Sequence, residues 1–311
     1  NDGDVTGVHG SGDFWVVKID SAGTIKWQKA LGGTLSDIGR SIQQTSDGGY
    51  IIAGITLSNN GDVTGNHGTS DCWVVKLSGD DFGNTIVWQK ALGSSGDDFA
   101  FGMTLTPDGG CIVVGTAGKA DGDVSQAVTF GNWWIVKLSI TGALQWEKSH
   151  LGKGADEAFS VANTFDGGYI ITGTMNNTTT APNQYHGLLK LTSNGTMQWS
   201  KPINGQWVIQ TADSGYAVIS LQKGQKTQTD VSDNYFIRKL DVNGDSVWLK
   251  VVGGSANDKP TCILQTVDGG YLAAGATLSN DWDVSGNNGS ADGWMVKLGF
   301  PSSGLHNVRH I

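Results

Sequence analysis

The sequence is poor in arginine, cysteine, charge and long apolar runs, and each shortage argues against a class of protein. Only Arg40, Arg238 and Arg309 occur beside 29 acidic residues, with a net charge of −9. Nucleic-acid binding needs clustered cations to displace counterions from phosphate, so no nucleic-acid partner is expected. Cys72, Cys111 and Cys262 lie in separate apolar segments without C-x-x-C spacing. That pattern speaks against a disulfide framework or a zinc site and for free, buried thiols. No apolar run approaches the roughly 20 residues that a membrane helix requires, and no membrane insertion is expected. Nowhere do apolar residues keep a 3.6-residue period over a helical length, so helix should be nearly absent. The sequence also lacks G-x-S-x-G, H-E-x-x-H and a phosphate-binding glycine loop followed by Lys-Ser or Lys-Thr.

What is abundant is glycine, with 47 residues, and tryptophan, with 12. Glycine at this level without a three-residue period is not collagen, and the tryptophan supplies enough apolar surface to offset the entropy of ordering. The chain therefore reads as folded and turn-rich. Its acidity makes cations the expected charged ligands. It opens at Asn1 inside what proves to be a loop, without Met or a signal-peptide pattern, and reads as a processed or excised chain.

Self-comparison decides the fold, because four signatures recur in fixed order. A strand ending in Lys appears six times: DFWVVKI from Asp13, DCWVVKL from Asp71, NWWIVKL from Asn132, HGLLKL from His186, YFIRKL from Tyr235 and GWMVKL from Gly293. A Gly or Asn turn and a strand centred on Trp27, Trp88, Trp146, Trp199 or Trp248 follow it, with Val308 in the last copy. Next comes a loop such as LGGTLSD, which leads into a strand such as IGRSIQQT and recurs at Leu31, Leu92, Leu151 and Val252. A tight D-G-G-Y turn, or a variant of it, then enters another strand at Asp47, Asp108, Asp166, Asp213 and Asp268, where the glycines suit a hairpin that needs positive φ.

Short strands that alternate or run apolar for four to eight residues between turn residues are the β signature. Four antiparallel strands per unit, repeated radially, give a β-propeller; a β-solenoid has shorter rungs. Strands A to D of a blade are then IGRSIQQT, GYIIAGIT, CWVVKL and TIVWQK. The chain is expected to form one all-β domain over residues 1–311, with units near 1–33, 34–91, 92–149, 150–201, 202–251 and 252–311. The count is C and D once, then five full sets. A six-bladed ring lacking its first A and B strands is the favoured reading; a five-bladed ring with the first hairpin displaced is the alternative. The motifs WVVKL, D-G-G-Y and GDVTGNHG resemble the tandem propeller repeats of secreted bacterial surface proteins. That resemblance covers nearly the whole chain and implies an extracellular or cell-surface location, without implying a reaction.

Strand alternation places the A-B and C-D turns on one side of a blade and the longer B-C and D-A loops on the other. Functional sites on rigid repeat scaffolds favour such loops. Three of the B-C loops carry aspartates nine residues apart, Asp4 with Asp13, Asp62 with Asp71 and Asp283 with Asp292. Oxygen ligands in a glycine-rich loop could hold calcium, but the spacing is not that of an EF-hand, and Asp and Asn also rigidify loops through backbone hydrogen bonds without metal. His9 and His67 occupy equivalent loop positions and read as hydrogen-bonding residues, because zinc partners are missing. Each C-strand Lys is expected to pair with the Asp of its own A-B turn, as Lys76 with Asp47. The in-register tryptophans read as packing between blades. Aromatics outside the repeat register, Trp207, Trp282, Phe130 and Tyr185, are the ligand-binding candidates. A monomeric binding or adhesion module for a glycan or protein ligand is the leading expectation, with a carbohydrate-active hydrolase or a structural spacer as alternatives.

Overall fold

The computed structural model describes residues 3–79, 85–126, 132–150, 156–176, 184–203, 205–224, 232–299 and 308–310. Among these residues the fold is all-β, with no helix. A two-stranded sheet pairs β1 (Phe14–Ile19) with β2 (Ile25–Leu31). Five four-stranded antiparallel sheets follow in chain order. The first contains β3 (Asp37–Gln44), β4 (Tyr50–Thr56), β5 (Asp71–Leu77) and β6 (Ile86–Leu92). The second contains β7 (Phe99–Leu105), β8 (Cys111–Ala117), β9 (Asn132–Leu138) and β10 (Leu144–His150). The third contains β11 (Glu157–Asn163), β12 (Tyr169–Asn176), β13 (Gln184–Leu191) and β14 (Met197–Lys201). The fourth contains β15 (Trp207–Gln210), β16 (Tyr216–Lys223), β17 (Asp233–Leu240) and β18 (Ser246–Val252). The fifth contains β19 (Asp258–Gln265), β20 (Tyr271–Thr277), β21 (Asp292–Leu298) and β22 (Val308–His310). The chain divides into two compact units, Asn1–Phe159 with Met175–Asn183 and Ser160–Thr174 with Gln184–Ile311.

Register repeats with the sequence. Tyr50 faces Leu77 and Thr56 faces Asp71, and in the fifth sheet Tyr271 faces Leu298 and Thr277 faces Asp292. In the first, second and fifth four-stranded sheets the first strand shifts register once near its middle, between Gly39 and Ser41 in β3, between Ala100 and Gly102 in β7 and between Pro260 and Cys262 in β19, whereas β15 shows no shift. Pro260 is tolerated because β19 is an edge strand.

The D-G-G turn shows why the second glycine is the stricter one. The first adopts φ of 83° at Gly48 and 81° at Gly269, and Ser214 takes the same place at 66°. At the second, a Cβ would lie 2.4 Å from the Leu77 carbonyl oxygen at Gly49 and 2.2 Å from that of Leu240 at Gly215. Beside this turn each lysine finds its aspartate: Lys76 with Asp47 at 2.7 Å, Lys137 with Asp108 at 2.8 Å, Lys190 with Asp166 at 2.8 Å, Lys239 with Asp213 at 2.9 Å and Lys297 with Asp268 at 2.6 Å. Lys18 has no such carboxylate among the described residues and lies 5.7 Å from the Tyr50 ring centre.

Sheets pack through aromatic contacts at repeating positions. In the first unit Trp27 meets Tyr50 edge-on at 5.7 Å and Phe14 meets Trp73 at 4.8 Å. In the second unit Trp199 meets Tyr216, Trp248 meets Tyr271 and Tyr235 meets Trp294 in the same manner. Trp73, Trp133 and Trp134 are among the largest fully buried side chains. At about 150–250 Å² each, such rings supply roughly 4–6 kcal/mol of transfer free energy per ring. Cys72 and Cys111 are free and buried, and burial pushes the Cys111 thiol up to about 12. Cys262 is also free but only half-buried, a correction to the expectation, because it lies on edge strand β19 beside the register shift, out of step with buried Ile263.

Candidate functional site

Among the described residues, the long loops that lead into β1, β5 and β9 are held to their sheets, each by a recurring residue. The indole N–H of the third strand donates to an acceptor on the fourth: Trp15 to Gln28 at 2.6 Å, Trp73 to Gln89 at 2.7 Å and Trp134 to Glu147 at 3.0 Å. That acceptor residue in turn bonds the loop hydroxyl of Thr6, Thr64 or Ser125. The loop thus rests on a polar strut that starts from a third-strand tryptophan.

The aspartates singled out by their nine-residue spacing hold opposite ends of each loop. Asp62 accepts from the Gly32 amide at 3.3 Å, and Asp283 accepts from the Gly253 amide at 3.2 Å. Asp71 accepts from the His67 amide at 3.0 Å and lies 2.8 Å from His67 Nδ1; Asp13 treats His9 in the same way. Asp292 accepts from the Asn288 amide at 2.6 Å. Asp4 is exposed at the start of the first loop. Contact runs instead from one loop to the next: His9 Nε2 lies 4.0 Å from Asp62, and His67 Nε2 lies 3.9 Å from Asp123. Among the described residues no group of three or more His, Cys, Asp or Glu side chains is placed to hold a metal ion.

A second set of aspartates, at the start of the A strands, forms buried hydrogen-bonding hubs. Asp37 accepts from the Gly33 amide at 2.8 Å, the Ser58 hydroxyl at 2.9 Å and the Thr56 hydroxyl. Asp258 repeats the set with Gly254, Ser279 and Thr277, and Asp98 accepts from Ser94 and Gly118. Sequence reasoning missed these residues, although an Asp six residues after β2, β6 and β18 was a readable signal at Asp37, Asp98 and Asp258. Burial holds the Asp98 carboxyl above its ordinary range against the pull of its amide donors, and burial raises Asp71 as well. The two face each other across Gly93, where a Cβ would come within 2.7 Å of Asp98 Oδ2 and 2.8 Å of Asp71 Oδ1.

Trp282 departs from this regularity. It occupies the place of Gly61 and Gly122, whose φ values are 67° and 60°, and takes φ of 56° itself. A Cβ on Gly61 would lie 2.5 Å from the Gly32 carbonyl oxygen, and one on Gly122 would lie 2.4 Å from that of Gly93. Around Trp282 the structure has given way. The equivalent amide-to-carbonyl bond lengthens from 2.9 Å (Asp62 to Gly32) to 3.3 Å (Asp283 to Gly253), and Gly253 moves to φ of 152°. The Trp282 ring is 49% exposed. Trp207, 39% exposed, opens β15 on the face opposite buried Val208. Phe130 and the side chain of Tyr185 lie outside the described residues.

No protein-family model matches the chain, and no curated protein sequence matches it. Among solved structures it is similar to a protein of unknown function from Bacteroides caccae, with 13% identity over 94% of this chain and 88% of that one and a TM-score of 0.54, a likeness of fold alone. Two further matches, a putative glycoside hydrolase from Parabacteroides distasonis (10% identity, 77% and 83% coverage, TM-score 0.38) and a levansucrase variant of B. megaterium (11%, 90% and 86%, 0.39), are too distant in shape to carry an argument.

Proposed function

We propose that this chain is a secreted or cell-surface recognition module whose four-stranded sheets act as propeller blades and whose long loops present a binding rim to a glycan or protein ligand. The observation that carries the proposal is Trp282. A bulky residue held at positive φ costs of order 1–3 kcal/mol, and such strain gathers at functional positions. Here it replaces a glycine of the repeat, distorts the neighbouring connection and leaves an indole open to solvent. A flat apolar ring beside Asp and Asn side chains suits a sugar, which offers both C–H faces and hydroxyl edges. Among the described residues the remaining loop chemistry recurs from loop to loop and goes into internal hydrogen bonds, which supports a rigid scaffold rather than a catalytic centre.

A six-bladed arrangement lacking two strands is the favoured reading of the sheets, since β1 and β2 match the last two strands of a complete blade. Calcium binding by the paired aspartates is the competing account of the loops. The amide donors already on Asp62, Asp71, Asp283 and Asp292 favour loops that hold without it. A glycan array run beside a glycosidase panel tests the proposal. Saturable binding without turnover is expected. Turnover without stable binding would replace it with a hydrolase, and silence in both assays would favour a spacer.

A further inference from the structure

The third strand of a complete sheet is paired on both edges, as β5 is by β4 and β6, whereas β1 is paired only by β2 among the described residues. The consequence shows in residues of matching sequence. Trp15 is 46% exposed and its counterpart Trp73 is 0% exposed. The loss extends to the neighbouring sheet. β4 packs on β7 and β16 packs on β19, so that Met103 and Ile263 are 4% and 2% exposed. Ile42 holds the same position in β3, and with no such strand over it Ile42 is 49% exposed. Between β1 and β3 runs a groove of about 540 Å³ lined by Phe14, Trp15, Val17, Ile38 and Ile42 among others. Lys18 follows the lining residue Val17 in β1 and is the one third-strand lysine among the described residues without a turn aspartate.

We propose that this groove accepts a β-hairpin with the chemistry of the first two strands of the chain's own four-stranded sheets, such as β3 and β4. Its second strand would add to the bare edge of β1, its alternate aliphatic side chains would cover Ile42, and its Asp-Gly-Gly turn would bring a carboxylate to Lys18. Three features point to that occupant rather than to a generic apolar peptide. The unpaired edge supplies main-chain donors and acceptors. The bare Ile42 is the counterpart of Met103, which in the covered case shares a core cluster with Ile51 and Ala53 of β4. The uncompensated cation calls for an aspartate in a defined turn. The proposal stands apart from ligand binding at the loop rim and does not depend on it.

The test uses a synthetic peptide of sequence Asp37–Thr56 added to the intact chain, with hydrogen exchange read over Phe14–Ile19. Saturable binding is expected, with exchange of that segment slowed at least tenfold and β3 protected in parallel. A peptide carrying Asp47→Asn should bind at least threefold more weakly. Lys18→Gln in the protein should give the same loss, and the two changes together should cost no more than either alone. Fusing the same segment ahead of Asn1 gives a second reading should the free peptide self-associate. Absence of slowing in both formats overturns the proposal. So does protection located away from β1 and β3, or a concentration-dependent dimer in which β1 is already protected by a second copy. Glycan binding at the rim is unaffected by either result, so the two proposals fail separately.

Discussion

The hairpin β1–β2 and the second half of the sheet β3–β6 carry nearly the same residues, FWVVKI against CWVVKL and IKWQKAL against IVWQKAL, yet they end in different states. Every residue of β5 is buried, while in β1 only Phe14 and Val16 are. Lys76 is buried against Asp47; Lys18 rests near an aromatic ring. The motif therefore does not contain its own burial. A repeat of this kind cannot cover its apolar faces alone, and what neighbours provide decides how much each copy stabilises the whole.

The largest expected effect sharpens that contrast directly. Trp73→Ala should cost about 3–5 kcal/mol, because a fully buried ring leaves a cavity. Trp15→Ala should cost about 1 kcal/mol, since half of that ring already meets water. Chemical denaturation of both variants checks the pair, and equal losses would break the comparison. Next, Asp47→Ala leaves the Lys76 ammonium buried beside Thr45 alone. The Asp47 carboxylate is 58% exposed, so solvent screens it and the loss should be only about 1 kcal/mol. Lys18→Met, the matching change in the hairpin, should move stability by less than about 0.5 kcal/mol.

Trp282→Gly should raise stability by about 1 kcal/mol through relief of the positive-φ strain, read as a higher Tm. A smaller effect concerns Asp71, whose counterparts at Asn132 and Asn234 are amides. Burial raises its carboxyl, so ionisation costs stability, and that cost grows as pH rises from the ordinary value of 3.8 toward the raised one. His67, Asp98 and Asp123 are the titratable groups around it. Asp71→Asn removes the cost and should gain on the native chain by less than about 1 kcal/mol between pH 4 and pH 6, as measured by thermal unfolding. Smallest of all, a chelator should leave Tm unchanged within about 1 °C, whereas a bound ion would stabilise by mass action and its removal would lower Tm.

Much of the fold was legible because it rests on local pattern: strand alternation, the D-G-G turns and the lysine-to-turn pairs all connect residues within one repeat. The loop chemistry was less so. Asp62 and Asp71 share a loop, yet Asp62 reaches Gly32, thirty residues earlier, and Asp71 reaches His67. Spacing along the chain left both calcium and metal-free backbone hydrogen bonds open, and it could not show that the two aspartates take donors so far apart. Asp37, Asp98 and Asp258 escaped notice because a buried hub looks, in sequence, like any Asp before a strand. The exposure of Trp15 was equally unreadable, since the motif around it is the same one that buries Trp73.

The proposed function turns on whether the departure at Trp282 is an adaptation for a ligand. A glycan array comparing the native chain with Trp282→Gly addresses this most directly. Binding should fall at least tenfold in the variant while the fold becomes more stable; an unchanged binding profile would contradict the proposal and move the site off this rim.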